Sequence, residues 1–292
     1  MMPVYSKALF GFLFLLAMTS GARAGDLKVV SVLRFQNGDP HTQTRYYKGQ
    51  RLRIESRAHT SWKPGLVTYG PPHAMIFQCD AQRAIVLNLE THKYSVSQPN
   101  ECDRPAPSLP APKGTIDVYI ESTDTGERRE ILGRTARHII TRQRQVAGPG
   151  ACWPDAEMEW DGWYIDMEEQ EVDRRLRRNT VDELAHVIRS GAHCRDKILV
   201  HRKGVERPGL ALTVVYVSRF SVPKPDGASK ELTTRWESEI TELSEAPLDA
   251  ALFDVPAGFT KVSEIDTQPS MPVSVAIEYW WQRTVHEIGS WF

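Results

Sequence analysis

From residue 27 to about residue 262 the chain alternates apolar and polar positions with a period of two, the mark of strands that bury one face. Leu27, Val29, Ser31, Leu33 and Phe35 share one face of the first such segment, which Asn37-Gly38-Asp39-Pro40 ends. After a turn at Lys48-Gly49-Gln50, Leu52 and Ile54 alternate with Arg51, Arg53 and Glu55. Met75, Phe77 and Cys79 alternate with Gln78 and Asp80, and a reversal at Asp80-Ala81-Gln82 leads into Ile85, Val86, Leu87 and Leu89. A turn at Glu90-Thr91-His92-Lys93 then precedes a strand around Tyr94-Ser95-Val96. The pattern predicts a meander of antiparallel hairpins. Five prolines between residues 99 and 112 read as an extended loop. The rhythm restarts at Ile116, Val118 and Ile120, turns at Asp124-Thr125-Gly126-Glu127 toward Ile131-Leu132-Gly133, and continues at Ile139 and Ile140. Gly148-Pro149-Gly150 breaks it, Met158 and Trp160 resume it, and Asp161-Gly162 offers a bend or bulge before Trp163-Tyr164-Ile165. Leu210, Leu212, Val214 and Tyr216 return to strand rhythm, as do Leu232, Thr234, Trp236 and Ile240.

Two segments carry helical spacing instead. Thr180 and Glu183 form a capping-box pattern ahead of the stripe Val181, Leu184, Ala185 and Ile188, and Gly191 ends it. At the end of the chain Ile277, Trp281, Ile288 and Trp291 or Phe292 recur at helical intervals. Glu278, Arg283 and Glu287 interrupt that stretch, so it predicts an amphipathic closing helix and not a membrane span. No internal repeat stands out.

The first 24 residues read as an address. Lys7 gives a short positive start, Ala8 to Met18 an uncharged apolar run, and Ala22-Arg23-Ala24 an A-x-A cleavage pattern. The run is well short of the ~20 residues that span a bilayer, so it predicts a cleaved export signal with the mature chain beginning at Gly25. No transmembrane segment is expected in that chain, and its expected location is periplasmic or secreted. The full chain has a formal net charge of −1, and the leader removes only the basic Lys7 and Arg23. So balanced a chain lacks the clustered basic surface that a nucleic-acid binder needs. The one basic run, Arg174-Arg175-Leu176-Arg177-Arg178, follows acidic residues from Glu168 to Asp173 and reads as a solvated, salt-bridged helix face.

An exported chain with four cysteines predicts two disulfides among Cys79, Cys102, Cys152 and Cys194. Three pairings exist on paper. Proximity in sequence favours Cys79–Cys102 and Cys152–Cys194, each closing a loop worth ~3–4 kcal/mol if unstrained. No C-x-x-C spacing supports a redox centre or a zinc knuckle.

Candidate chemistry is sparse. There is no nucleophile elbow, Walker loop or dinucleotide fingerprint, and His286-Glu287 lacks the second histidine of a zincin helix. His186, His193 and His201, with Cys194 nearby, are spaced too irregularly to predict a metal site. Asp155, Glu157, Glu159 and Asp161 alternate along one strand face, which suits an acid–base pair or calcium but also the wet side of a half-exposed strand. The wet strand is the favoured reading. No catalytic residue, metal or cofactor is expected, and a hydrolase built on these carboxylates ranks last. The eight tryptophans are more distinctive. Trp153, Trp160 and Trp163 cluster in mid-chain, Trp280, Trp281 and Trp291 near the end, and such rings suit cores, ligand cavities and interfaces alike. Trp160, Trp163, Trp236 and Trp281 are the weak ligand-binding candidates.

Several segments together resemble a known family. They are Tyr47 to Glu55, Ala84 to Leu89 with Lys93-Tyr94, Thr125-Gly126-Glu127 leading to Ile131 through Arg137, and Pro247-Leu248-Asp249-Ala250-Ala251-Leu252-Phe253-Asp254-Val255-Pro256-Ala257-Gly258-Phe259. Their order resembles exported bacterial proteins of uncharacterised function related to the LolA-like periplasmic lipoprotein carriers. The resemblance implies a curved antiparallel sheet, a half-barrel with a few covering helices around an apolar cavity. It implies a non-catalytic protein holding an apolar small molecule, lipid or lipidated chain such as a lipoprotein. Gly133 within a strand then marks curvature, and Phe253, Val255 and Phe259 tuck the last turn onto the sheet. The expected organisation is a leader (1–24), the sheet domain (25–266) with an inserted helix near 168–190, and a C-terminal amphipathic segment (267–292). The alternative is an envelope interaction module with a solid core, whose Trp-rich C-terminus docks on a protein partner.

Overall fold

The computed structural model describes residues 25–36, 40–63, 66–97, 114–151, 154–167, 196–223, 229–268 and 270–273. Among these, thirteen strands form in chain order: β1 (Leu27–Phe35), β2 (His41–Lys48), β3 (Arg51–Lys63), β4 (Leu66–Gln78), β5 (Arg83–Asn88), β6 (Lys93–Ser97) and β7 (Gly114–Ile131). They continue with β8 (Arg134–Ala147), β9 (Ala156–Ile165), β10 (Asp196–Gly204), β11 (Leu210–Pro223), β12 (Ser229–Ser244) and β13 (Thr260–Lys261). All join one curved, unclosed sheet in the order β10-β7-β8-β9-β11-β12-β1-β2-β3-β4-β5-β6-β13. The β-rich composition of the segments explains the assignment: β1 is Leu-Lys-Val-Val-Ser-Val-Leu-Arg-Phe, and Leu27, Val29 and Ser31 are its buried positions.

The sheet is mixed, which corrects the expectation of a wholly antiparallel one. β10 runs parallel to β7, with Ile198 opposite Ile116 and Val200 opposite Val118, and β13 runs parallel to β6. Period-two patterning cannot distinguish the two directions, because side chains alternate identically in both. The described covering element is a single 3-10 turn, Ala250–Phe253; the helix expected near 168–190 and the closing helix beyond Val273 lie outside the described residues. So do the leader and the proline-rich loop.

Two turns exchange roles with what the chain pattern suggests. Asp124-Thr125-Gly126-Glu127 is not a chain reversal: β7 runs through it with a register shift between Asp124 and Arg128. The reversal lies at Leu132-Gly133, both at positive φ (52° and 71°), joining β7 to β8. Both places need a residue at positive φ, and Gly126 and Gly133 each supply one, so glycine alone does not say which is hairpin and which is bulge.

The return segment after β12 explains a further difference. Ala74, Ile76 and Gln78 of β4 are fully buried while Met75 and Phe77, on the other face, are half-buried. Ala74, Ile76, Ile85 and Leu87 form a cluster with Phe253, flanked by Leu248, Leu252, Val255 and Phe259. The 3-10 turn starts at Asp249, whose Oδ1 accepts from the Ala251 amide at 2.9 Å. Polar side chains of the sheet then satisfy the segment's carbonyls. Lys48 Nζ donates to Leu248 O at 3.0 Å, Arg53 Nη1 to Leu252 O at 2.9 Å and Gln78 Nε2 to Phe253 O at 2.5 Å. A second cluster gathers Leu27, Val29, Tyr47, Leu52, Cys79, Leu212 and Ile240. Here the sheet is buried from both sides.

Candidate functional site

Cross-strand register assembles a row of aromatic rings on one face of the sheet. Phe35 of β1 pairs with Trp236 of β12, Trp236 with Tyr216 of β11, and Tyr216 with Trp160 of β9. The Trp160 and Tyr216 ring centroids are 5.1 Å apart and those of Tyr216 and Trp236 5.0 Å, both in the range of favourable ring pairing. The three rings are half-buried and Phe35 is 38% exposed. Met158 lies two residues from Trp160 on the same face, beside the buried Gln143 and Ser218. No carboxylate, amine or imidazole belongs to the row, so its chemistry is contact with flat or hydrocarbon surfaces. Trp160 and Trp236 are thus brought together, through Tyr216. Among the described positions singled out from sequence, Trp163 is the exception.

Trp163 sits on the opposite face, as its odd spacing from Trp160 requires. It stacks on His138 with centroids 4.9 Å apart, and the Arg129 guanidinium lies 5.6 Å above its ring. His138 is held at both nitrogens, Nε2 to Asp161 Oδ1 at 2.7 Å and Nδ1 to Thr125 Oγ1 at 3.1 Å. This acid–imidazole–hydroxyl chain has the order of a relay. Thr125 and Asp161 are exposed, and the Thr125 hydroxyl already accepts from the Glu127 amide at 3.3 Å, so the two ends of the chain face solvent while His138 between them is mostly buried. Trp281 lies outside the described residues.

The four carboxylates on and just before β9 share Trp163's face and each meets a different neighbour. Asp155 accepts from the Ala147 amide at 2.8 Å, Glu159 pairs with Arg142 at 2.8 Å and Asp161 with His138. Glu157 lies across the sheet from Arg144 on one side and Arg219 on the other. Of the four, Glu157 and Glu159 line an open groove of about 620 Å³ together with Tyr119, Glu121, His201 and Lys203. Lys203 and Glu121 pair at 2.8 Å, which raises the ammonium's pKa and lowers the carboxyl's, and Glu159 likewise raises that of Arg142. Nothing in the sequence pattern marks Arg144, Arg219 or Tyr119, because their neighbourhood exists only through register.

His201 pairs with Asp117 at 2.8 Å and stacks on Tyr119 at 4.7 Å, while His186, His193 and Cys194 lie outside the described residues. Among the described residues no three His, Cys, Asp or Glu side chains converge to hold a metal ion. Cys79 is buried and disulfide-bonded, and Cys102, Cys152 and Cys194 all lie outside the described residues. Burial, with the Asp161 charge adding to it, pushes the Tyr164 phenol up to about 12. No described helix is long and apolar enough to cross a membrane.

Fold and site together define a mainly β protein on one curved, open, mixed sheet, with an aromatic row on one face and a charged groove on the other. No protein-family model matches the chain, and no curated protein matches it.

Proposed function

We propose that this is an exported, non-catalytic binding protein of LolA-like half-barrel type that holds an apolar ligand, a lipid or a lipidated chain against the inner face of its sheet. The observation that carries the reading is the row Phe35, Trp236, Tyr216 and Trp160, four aromatic rings across four adjacent strands with no ionisable group among them. A row of this kind offers a continuous apolar track wide enough for an acyl chain. Binding draws on apolar burial of roughly 25 cal/mol per Å² removed from water, with no covalent step.

Native mass spectrometry of the chain purified from its own host tests this. Retained hydrocarbon-rich adducts on the wild type, diminished in Trp160→Ala and Trp236→Ala, are the expected result. A ligand-free wild type that also fails to take up a fluorescent fatty acid overturns the reading.

A further inference from the structure

The charged groove, on the face opposite the aromatic row, is independent of that reading, and its basic residues are not all spent on internal pairs. Lys203 is taken by Glu121 and Arg142 by Glu159. Arg144 and Arg219 are exposed, and among the described residues neither has a carboxylate within ion-pair distance. Between them in register stands Glu157, which forms no ion pair among the described residues. Arg144 is held in place from one side. Its guanidinium lies 5.1 Å over the Tyr119 ring, whose other partner is His201, itself fixed by Asp117. A guanidinium anchored through its flat face keeps its N–H edge available.

We propose that this groove binds a phosphoryl anion between Arg144 and Arg219, with Glu157 accepting a hydrogen bond from the phosphoryl hydroxyl. Two guanidinium forks match the acceptor oxygens of a tetrahedral anion. The carboxylate between them selects within that class. A singly protonated phosphate or phosphate monoester carries both the oxygens the arginines need and an O–H to donate to Glu157. Sulfate carries no such proton and meets Glu157 with like charge. The groove of about 620 Å³ leaves space for the group esterified to the phosphate. The shared chemistry is a phosphomonoester, whether on a small solute or on a lipid headgroup.

Titration calorimetry of the full chain at constant ionic strength is the test, with inorganic phosphate and sulfate as probes. Phosphate should bind saturably. Arg144→Gln and Arg219→Gln should each weaken it at least tenfold, whereas Arg45→Gln, outside the groove, should leave it unchanged. Sulfate should fail to compete on the wild type and should compete on Glu157→Gln. Glycerol phosphate and vesicles containing phosphatidate then separate the two sources, binding by either supporting the assignment. Absence of saturable phosphate binding, equal affinity for sulfate, or insensitivity to both arginine variants overturns it and leaves a solvated ladder of charges. All four substituted side chains are exposed, and unchanged melting temperatures establish that the variants fold.

Discussion

Asp26 ties three separate parts of the chain to one carboxylate. Its Oδ2 accepts from Lys48 Nζ at 2.6 Å and from the Leu248 amide at 2.7 Å, joining the start of β1, the end of β2 and the return segment. Burial opposes its ionisation, but the hydrogen bonds from Lys48 and Leu248 outweigh it and hold its pKa below the usual carboxylate value. A carboxyl with a lowered folded pKa stabilises the fold at pH above its unfolded value of about 4, and loses that contribution as the pH falls through the folded value. Asp26→Asn should therefore cost roughly 1.5–3 kcal/mol at pH 7, the range for hydrogen bonds to charged groups. The deficit should shrink toward pH 2 in urea-unfolding midpoints; a deficit equal at both pH values would contradict this account. Gly162 makes a steric point at the same scale. A Cβ there would stand 2.7 Å from Thr213 O and 2.9 Å from Tyr164 Cε2, because the β11 irregularity between Ala211 and Thr213 brings that carbonyl inward. Overpacking of this kind costs about 1–3 kcal/mol, so Gly162→Ala should lower the melting temperature, and an unchanged one would mean that the strands can separate freely. The sequence marks Asp161-Gly162 as irregular, but the irregularity sits in the partner strand, which no local reading can see.

Among the elements, the return segment tests how one face of the sheet is covered. Phe253 is fully buried against Ala74, Ile76, Ile85 and Leu87. Truncating a buried phenylalanine costs about 3–5 kcal/mol. Phe253→Ala should show a loss of that size in denaturant unfolding, together with faster amide exchange across 248–259. If the loss is below about 1 kcal/mol, the segment is not what covers β4 and β5. That Phe253, Val255 and Phe259 pack on the sheet is legible from their spacing around Asp249 and Pro256. The consequence for β4 is not. Met75 and Phe77 have the better hydrophobic pattern yet are half-buried, whereas Ala74, Ile76 and Gln78 are fully buried, because small and polar side chains fit beneath a backbone that needs donors. Most strands are legible because period two survives in each. Pairing direction, the bulge at Asp124–Arg128 and the row through Tyr216 are not, since each depends on which segments become neighbours. Parity alone separates Trp160 from Trp163, and that signal is present in the chain.

For the whole molecule, an open sheet sets up a gradient of stability from centre to edge. β1 lies in the middle, paired on both sides by β12 and β2, and contributes Leu27 and Val29 to the core around Tyr47, Leu52 and Ile240. β10 lies at one end of the strand order, paired to β7 alone, with Leu199 and Val200 36% and 40% exposed. Local opening is easiest where buried apolar contacts are few and backbone hydrogen bonds face water. Hydrogen exchange followed by mass spectrometry should accordingly find the slowest amides in β1, β2 and β12, intermediate ones in β8 and β9, and the fastest strand amides in β10. The parallel β7–β10 ladder sharpens the contrast, since parallel pairing is slightly weaker per residue. Should β10 exchange as slowly as β1, its outer edge must be covered in solution, and the sheet must gain a partner there. A gradient in the expected direction has a consequence for the groove. His201 and Lys203 belong to the loosest strand, whereas Arg144 and Arg219 stand on strands paired on both sides. An anion held between the two arginines would then leave β10 exchange nearly unchanged while slowing β8, β9 and β11, a pattern that peripheral screening of surface charge does not produce.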